Sequence, residues 1–176
     1  MSKRLPSEKT ALKLLMQTGC SEKVIRHCKA VADFAVEIAK ACKGKGLKVD
    51  VDLVRVGAIL HDIGRAKTHN VDHGIIGAQI AKELNLSNAV VSIIERHVGS
   101  GITENEAEKL GWPVKSYVPR FFEERIVAYA DKLIEGSRRL PVEAAVERFR
   151  RDRRIPESSV ERLKQWHKEL SFCLKG

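Results

Sequence analysis

Apolar residues recur along this chain every three or four positions, the spacing that lays one face of an α-helix against a core. Ala11, Leu14 and Leu15 predict a short first helix opened by Pro6-Ser7-Glu8 and closed by Gly19. A long second helix follows an N-cap at Ser21, with Val24, Cys28, Val31, Ala35, Ile38 and Cys42 on its buried side and Gly44 and Gly46 behind it. A third, capped by Asp50 or Asp52, is apolar on most sides and therefore central; it runs into His61-Asp62, with Gly64 as a candidate C-cap. After a loop from Arg65 to Asp72, a fourth helix begins near His73 and a fifth at Ser87. The rhythm lapses from Val98 to Pro119, apart from a turn or two at 103–110 where Thr103 and Glu106 fit a capping box. Such a stretch serves either as a lid or as a plain surface excursion. Helix is expected again over Phe121–Glu135, Val142–Arg151 and Glu157–Leu174. No alternating strand pattern exceeds a few residues. The fold class expected is all-α.

Composition narrows the function classes. The 176 residues fit one domain with room for a sizeable core. No run approaches the ~18 apolar residues of a membrane span, and no apolar stretch follows the basic N-terminus, so a cytoplasmic location without membrane partners is expected. Cys20, Cys28, Cys42 and Cys173 form no Cys-x-x-Cys pair; they are expected reduced and packed as small apolar side chains. The net charge of +9 favours anionic partners, nucleotides or nucleic acid. The densest basic run, Arg148–Arg154, has no interleaved aromatics for stacking on bases.

Candidate chemistry lies on the apolar faces. His27, Asp62, His73, His97 and Asp131 sit on or beside them, and His61 adjoins Asp62. A lone histidine on such a face is more often a satisfied core residue than a ligand. Four histidines and two acids at core positions of several helices are another matter, because buried carboxylates require a cation. His69, in a loop, and His167, near a polar edge, are read as non-ligands. Imidazole with carboxylate suits Mn, Fe, Co, Ni or Zn, and Mg remains open. Neighbouring helical residues diverge by about 100°, so His61 and Asp62 can flank a metal cluster. A carboxylate shared by two ions about 3.5–4 Å apart would make a two-metal hydrolase site.

His27, then His61-Asp62, then Asp131 in Ala128-Tyr129-Ala130-Asp131-Lys132-Leu133, resembles the H…HD…D pattern of the HD-domain phosphohydrolase superfamily, and the layout is similar to that of small archaeal HD proteins. The resemblance implies a compact HD-domain helical bundle: a single domain over residues 1–176, its core at about 21–135 and a C-terminal helical extension at about 137–176. It implies one metal on His27, His61, Asp62 and Asp131, with Asp62 bridging to a second on His73 and His97. It implies hydrolysis of phosphomonoesters, phosphodiesters or nucleoside polyphosphates. Val98 stands where some two-metal members carry a second histidine, and no Gly-Tyr-Pro motif of cyclic-di-GMP phosphodiesterases is present. The expected enzyme is a metal-dependent phosphohydrolase with one or two divalent ions, a nucleotide or other small phosphate ester as substrate, and Asp62 and Arg65 as catalytic residues. Arg65 would grip phosphate by a bidentate contact; Lys67, Arg96 and Lys132 are weaker candidates. Two rivals are a di-iron oxygenase, since the scaffold also resembles inositol oxygenase, and a nucleotide- or RNA-binding module with a structural metal.

Overall fold

The computed structural model describes residues 5–152 and 155–175 and has nine α-helices among them. Helix α1 (Glu8–Thr18) is capped by the Ser7 hydroxyl and ends at Gly19, whose φ of 93° suits glycine. Helix α2 (Glu22–Gly44) starts at the Ser21 cap, and its stripe of Cys28, Val31, Ala35, Ile38 and Cys42 is buried. Helix α3 (Val51–Leu60) follows an Asp50 cap and is the most apolar element, with Val54, Ala58, Ile59 and Leu60 buried. It packs against α2 and α1, and against two later helices, α5 (Asn88–Arg96) and α7 (Phe122–Lys132). It is therefore the central rod, as its sequence predicts.

Between α3 and α4 (His73–Glu83) the chain makes a 3-10 turn at Ile63–Ala66 and then a loop. Gly64 is not a left-handed C-cap. The turn is pressed against α4 so closely that a Cβ on Gly64 would lie 1.9 Å from the His73 carbonyl oxygen. The need here is for close backbone approach rather than for positive φ.

The excursion after α5 contains α6 (Glu104–Lys109), opened by the Thr103–Glu106 capping box. It is fastened rather than free. The buried Arg96 donates from Nη1 to the carbonyls of Ser116 (2.9 Å) and Val118 (2.8 Å). Arg162 donates to the carbonyls of Ser100 and Gly101, both at 3.0 Å, and Ser100 Oγ donates to Ser159 O at 2.6 Å. These bonds fasten the segment to α5 (Asn88–Arg96) and α9 (Glu157–Leu174).

Helix α7 stops at Lys132, three residues before the expected end. A two-residue hairpin follows, β1 (Ile134–Glu135) against β2 (Arg138–Arg139), turning at Gly136 with φ 63°. Strands this short leave no alternation to read. Helices α8 (Val142–Arg151) and α9 (Glu157–Leu174) then return over the bundle, α9 packing on α2, α7 and α8.

One expectation about cysteine is overturned. Cys42, at the end of α2, and Cys173, at the end of α9, form a disulfide with Cα atoms 4.8 Å apart. Their separation of 131 residues hides the pairing from any local reading. Cys20 and Cys28 are free and buried, as expected. The basic run Arg148–Arg154 lies only partly within the described residues, since Arg153 and Arg154 fall outside them. No helix among the described residues is long and apolar enough to cross a membrane.

Candidate metal centre

Helix α3 delivers His61 fully buried at its C-terminal cap, and the chain leaves helical geometry at Asp62 (φ −98°, ψ 17°). That break, not a regular helical step, lets adjacent residues face one site. Helix α2 contributes His27, the first residue of α4 contributes His73, the cap of α5 contributes His97, and the last turn of α7 contributes Asp131. All six residues expected as ligands meet.

Asp131 Oδ1 lies 2.9 Å from His27 Nε2 and 3.4 Å from His61 Nε2. The two oxygens of Asp62 diverge: Oδ2 is 3.7 Å from His61 Nε2, while Oδ1 is 3.2 Å from His73 Nε2 and 3.4 Å from His97 Nε2. Two overlapping donor groups result, His27–His61–Asp131 and His61–Asp62–His97, each with its ligand atoms within 4.8 Å of one another. His73 joins the second through its 3.0 Å approach to His97.

The imidazole tautomers show what is missing from this geometry. His27 Nδ1 donates to Gly136 O (2.9 Å), His61 Nδ1 to Ala58 O, His73 Nδ1 to Asn70 O and His97 Nδ1 to Ile94 O (each 2.7 Å). A carbonyl only accepts, so each Nδ1 carries a hydrogen and each ring, when neutral, turns an Nε2 lone pair inward. The Nε2 atoms of His73 and His97 then face each other as two acceptors, and the buried His61 Nε2 has no hydrogen-bond partner. Four inward lone pairs and two carboxylates form a cradle that a cation satisfies, with the backbone bonds serving as the outer support that orients imidazole ligands. The donor set fits a divalent metal.

The electrostatics agree. Burial would raise the Asp62 carboxyl, but His61, His73 and His97 hold it well below the usual carboxylate range; Asp131 is held low against burial by Lys132, His27 and His61. Burial would also depress the His61 imidazole, yet Cys28, Asp62 and Asp131 together lift it well above its ordinary value, so without an ion a proton on Nε2 takes the place that a cation would fill. Burial lowers His97 to about 4, keeping that ring neutral. The pocket favours positive charge at its centre.

A cleft of about 360 Å³ opens onto His27, Asp62, His73 and Asp131, with His61 and His97 buried behind them. Arg65 borders it, with Nε 3.3 Å from Asp62 Oδ1 and Nη1 donating to His69 O at 2.7 Å. Lys132 also borders it, bonded to Asp131 Oδ2. Arg96 does not: its donors are committed to the excursion. Lys67 is exposed and outside the lining, and His167 Nδ1 meets Tyr129 OH at 2.7 Å away from the centre. His69 lines the cleft beside those four, as do Arg148 and Phe149 of the C-terminal helix α8 and Ile155 just before α9. Sequence reading placed none of these last three in the site, although Arg148 opens the basic run noted there, because nothing local says that α8 folds back across it.

An all-α bundle that gathers four imidazoles and two carboxylates from five elements beneath one cleft is a helical scaffold with a candidate metal centre. The chain belongs to the HD domain family, whose sequence profile matches residues 24–136 and so includes all six converging residues. It is 44% identical over 161 residues to an uncharacterized protein of Methanocaldococcus jannaschii, covering 92% of this chain and 95% of that one. It is 41% identical over 172 residues to a tRNA (cytidine(56)-2'-O)-methyltransferase of Thermoplasma volcanium, where it spans 98% of this chain and about half (49%) of the relative. A Ribonuclease Y of Acidothermus cellulolyticus matches at 32% identity over 144 residues, 79% of this chain and 25% of the relative. In fold, the chain is similar to the HD domain of the L. monocytogenes phosphodiesterase PgpH solved with cyclic-di-AMP, with TM-score 0.56, 18% identity, and coverage of 89% of this chain and 92% of that chain.

Proposed function

We propose that this chain is a metal-dependent phosphohydrolase acting on a nucleotide or another small phosphate ester. The observation that carries the reading is the inward convergence of four Nε2 lone pairs on two carboxylates, with every Nδ1 anchored to a backbone carbonyl. His27, His61, Asp62 and Asp131 would hold one divalent ion, and Asp62 would reach through Oδ1 toward a second with His73 and His97. Ions so held supply, when bound, an acidified water nucleophile and neutralisation of phosphoryl charge.

The chain's own residues do the rest. Asp62 fixes the spacing of the two donor groups by dividing its oxygens between them. Arg65 has donors left after its bonds to Asp62 and His69 and lies at the cleft, where a guanidinium can hold phosphoryl oxygens in a fixed geometry. Lys132 adds a second cation beside Asp131. The names of the relatives (a phosphodiesterase, a Ribonuclease Y and tRNA methyltransferases) support nucleotides or RNA as the chemical class. The cleft is at the small end of the range of about 300–1,000 Å³ for ligand pockets, which favours a single nucleotide or the end of a strand over a folded RNA.

Metal analysis of the purified protein, followed by phosphatase and phosphodiesterase assays with Mn, Co, Ni or Mg, tests this. Phosphate release that depends on metal is expected. Asp62→Ala should lower turnover by more than about 100-fold, the upper end for loss of a mere outer-shell partner. Full turnover by Asp62→Ala, or bound iron with oxygen consumption and no phosphate release, would sink the proposal.

A further inference from the structure

The family match ends at residue 136, yet the cleft does not. Arg148 and Phe149 of α8, and Ile155 in the segment before α9, form part of its wall. Phe149 is almost fully buried and Ile155 half-buried, so together they present a packed apolar surface. Arg148 is held in place from behind: Nη2 donates to Lys132 O at 2.6 Å, and Nη1 stands 3.8 Å from Glu135 Oε1. That leaves most of its five N–H donors for other partners. Its anchor, Lys132, follows Asp131 directly, which sets the guanidinium beside the metal centre and not on a remote surface.

Charge decides what such a cleft takes. Arg65, Lys132 and Arg148 outnumber Asp62 and Asp131 before any metal is counted. Each divalent ion widens the excess by two charges. A single phosphate monoester carries at most two negative charges, so the cleft remains positive around it. An apolar wall beside such an excess suits a ring system bearing more than one phosphate.

We infer that the C-terminal helices complete the substrate site, with Arg148 binding a second phosphate of a nucleoside polyphosphate and Phe149 and Ile155 supporting its nucleoside. The inference rests on the proposed phosphohydrolase reading for its substrate class, but it concerns binding and can be measured apart from turnover. Arg148 is a specificity residue here, not a bond-breaking one.

The experiment compares equilibrium binding of AMP and α,β-methylene-ADP to the Mn-loaded full chain, by calorimetry, with phosphate release assayed in parallel on AMP and ADP. Wild type should bind the diphosphate analogue at least tenfold more tightly than AMP. In Arg148→Ala that ratio should fall below threefold, Arg148→Lys should recover part of it, and Lys67→Ala, outside the cleft, should keep it. Manganese content should be equal in all four proteins. A wild-type chain with no preference for the diphosphate overturns the inference, as does an Arg148→Ala chain that keeps the tenfold ratio or loses manganese. If the binding pattern holds while phosphate is never released, the hydrolase reading fails and the subsite stands. If phosphate is released while the ratio ignores Arg148, the subsite fails alone.

Discussion

Gly64 shows how one missing side chain sets a donor in place. A Cβ there would meet His73 O at 1.9 Å and Gly77 N at 2.7 Å, both backbone atoms at the start of α4. Neither can swing aside as a side-chain tip would. Gly64→Ala should therefore push α4 off the 3-10 turn and carry His73 away from Asp62. Overpacking of this kind costs about 1–3 kcal/mol. Urea unfolding should show a loss of that size, and metal analysis should show reduced occupancy. A variant with wild-type stability and metal content would mean that the contact yields freely. The residues themselves were legible in unequal degree. His27, His61, Asp62, His73, His97 and Asp131 could be picked out because ligands on apolar helix faces conflict with their surroundings. Gly64 could be noticed, but its reason could not: close approach between two elements has no signature in either one. Arg96, a weaker phosphate candidate, has a role hidden for a related cause. Beside His97 it looks like a phosphate partner, yet its donors go to the carbonyls of residues 116 and 118, twenty or more positions away.

At the scale of elements, α9 is the part that sequence periodicity describes least well. Its stripe of Leu163, Trp166 and Leu170 is buried as expected, but periodicity does not say what it is joined to. The Cys42–Cys173 disulfide ties its end to the end of α2 across 131 residues. Under the chain-entropy account, a loop of that size restricts the unfolded state by about 4–5 kcal/mol. Cys173→Ser, or reductant added to wild type, should lower the thermal midpoint by roughly 8–20 °C, at roughly 2–4 °C per kcal/mol, and titration of the oxidised denatured chain should find two free thiols, Cys20 and Cys28. Four free thiols, or a midpoint unmoved by reductant, would count against the bond. A second tie runs from α7, where Tyr129 OH meets His167 Nδ1 at 2.7 Å. Burial pushes the Tyr129 phenol up to about 12. An unfolded tyrosine ionises near 10, so between those values the unfolded chain loses a proton that the folded chain keeps. The contribution is fully present below pH 10 and lost as pH rises through 12. Urea midpoints measured at pH 9 and pH 11.5 should fall less in Tyr129→Phe than in wild type; equal falls would place the alkaline sensitivity elsewhere.

Over the whole molecule, the candidate centre draws on α2, the end of α3, α4, α5 and α7, so an ion bound there joins elements that otherwise meet through apolar packing. No such arrangement survives unfolding, since His27 and Asp131 lie 104 residues apart in the chain. A metal that binds only the folded state stabilises it by about 2.7 kcal/mol at a free concentration 100 times its Kd. For a chain of this length, each kcal/mol moves the midpoint by roughly 2–4 °C, so calorimetry should show a rise of about 5–10 °C when manganese is added to protein stripped with chelator. The His73–His97 contact makes the argument more specific. Without a cation, two lone pairs oppose each other at 3.0 Å beneath a buried carboxylate, and relief of that opposition should appear in the folded state alone. Replacing Asp62 by Asn keeps the shape, removes the carboxylate charge that faces His61, His73 and His97, and should abolish most of the rise. His69→Gln, which alters an exposed cleft residue outside both donor groups, should keep it. If His69→Gln removed the rise and Asp62→Asn did not, the ion would be sitting at the mouth of the cleft rather than among the six converging donors.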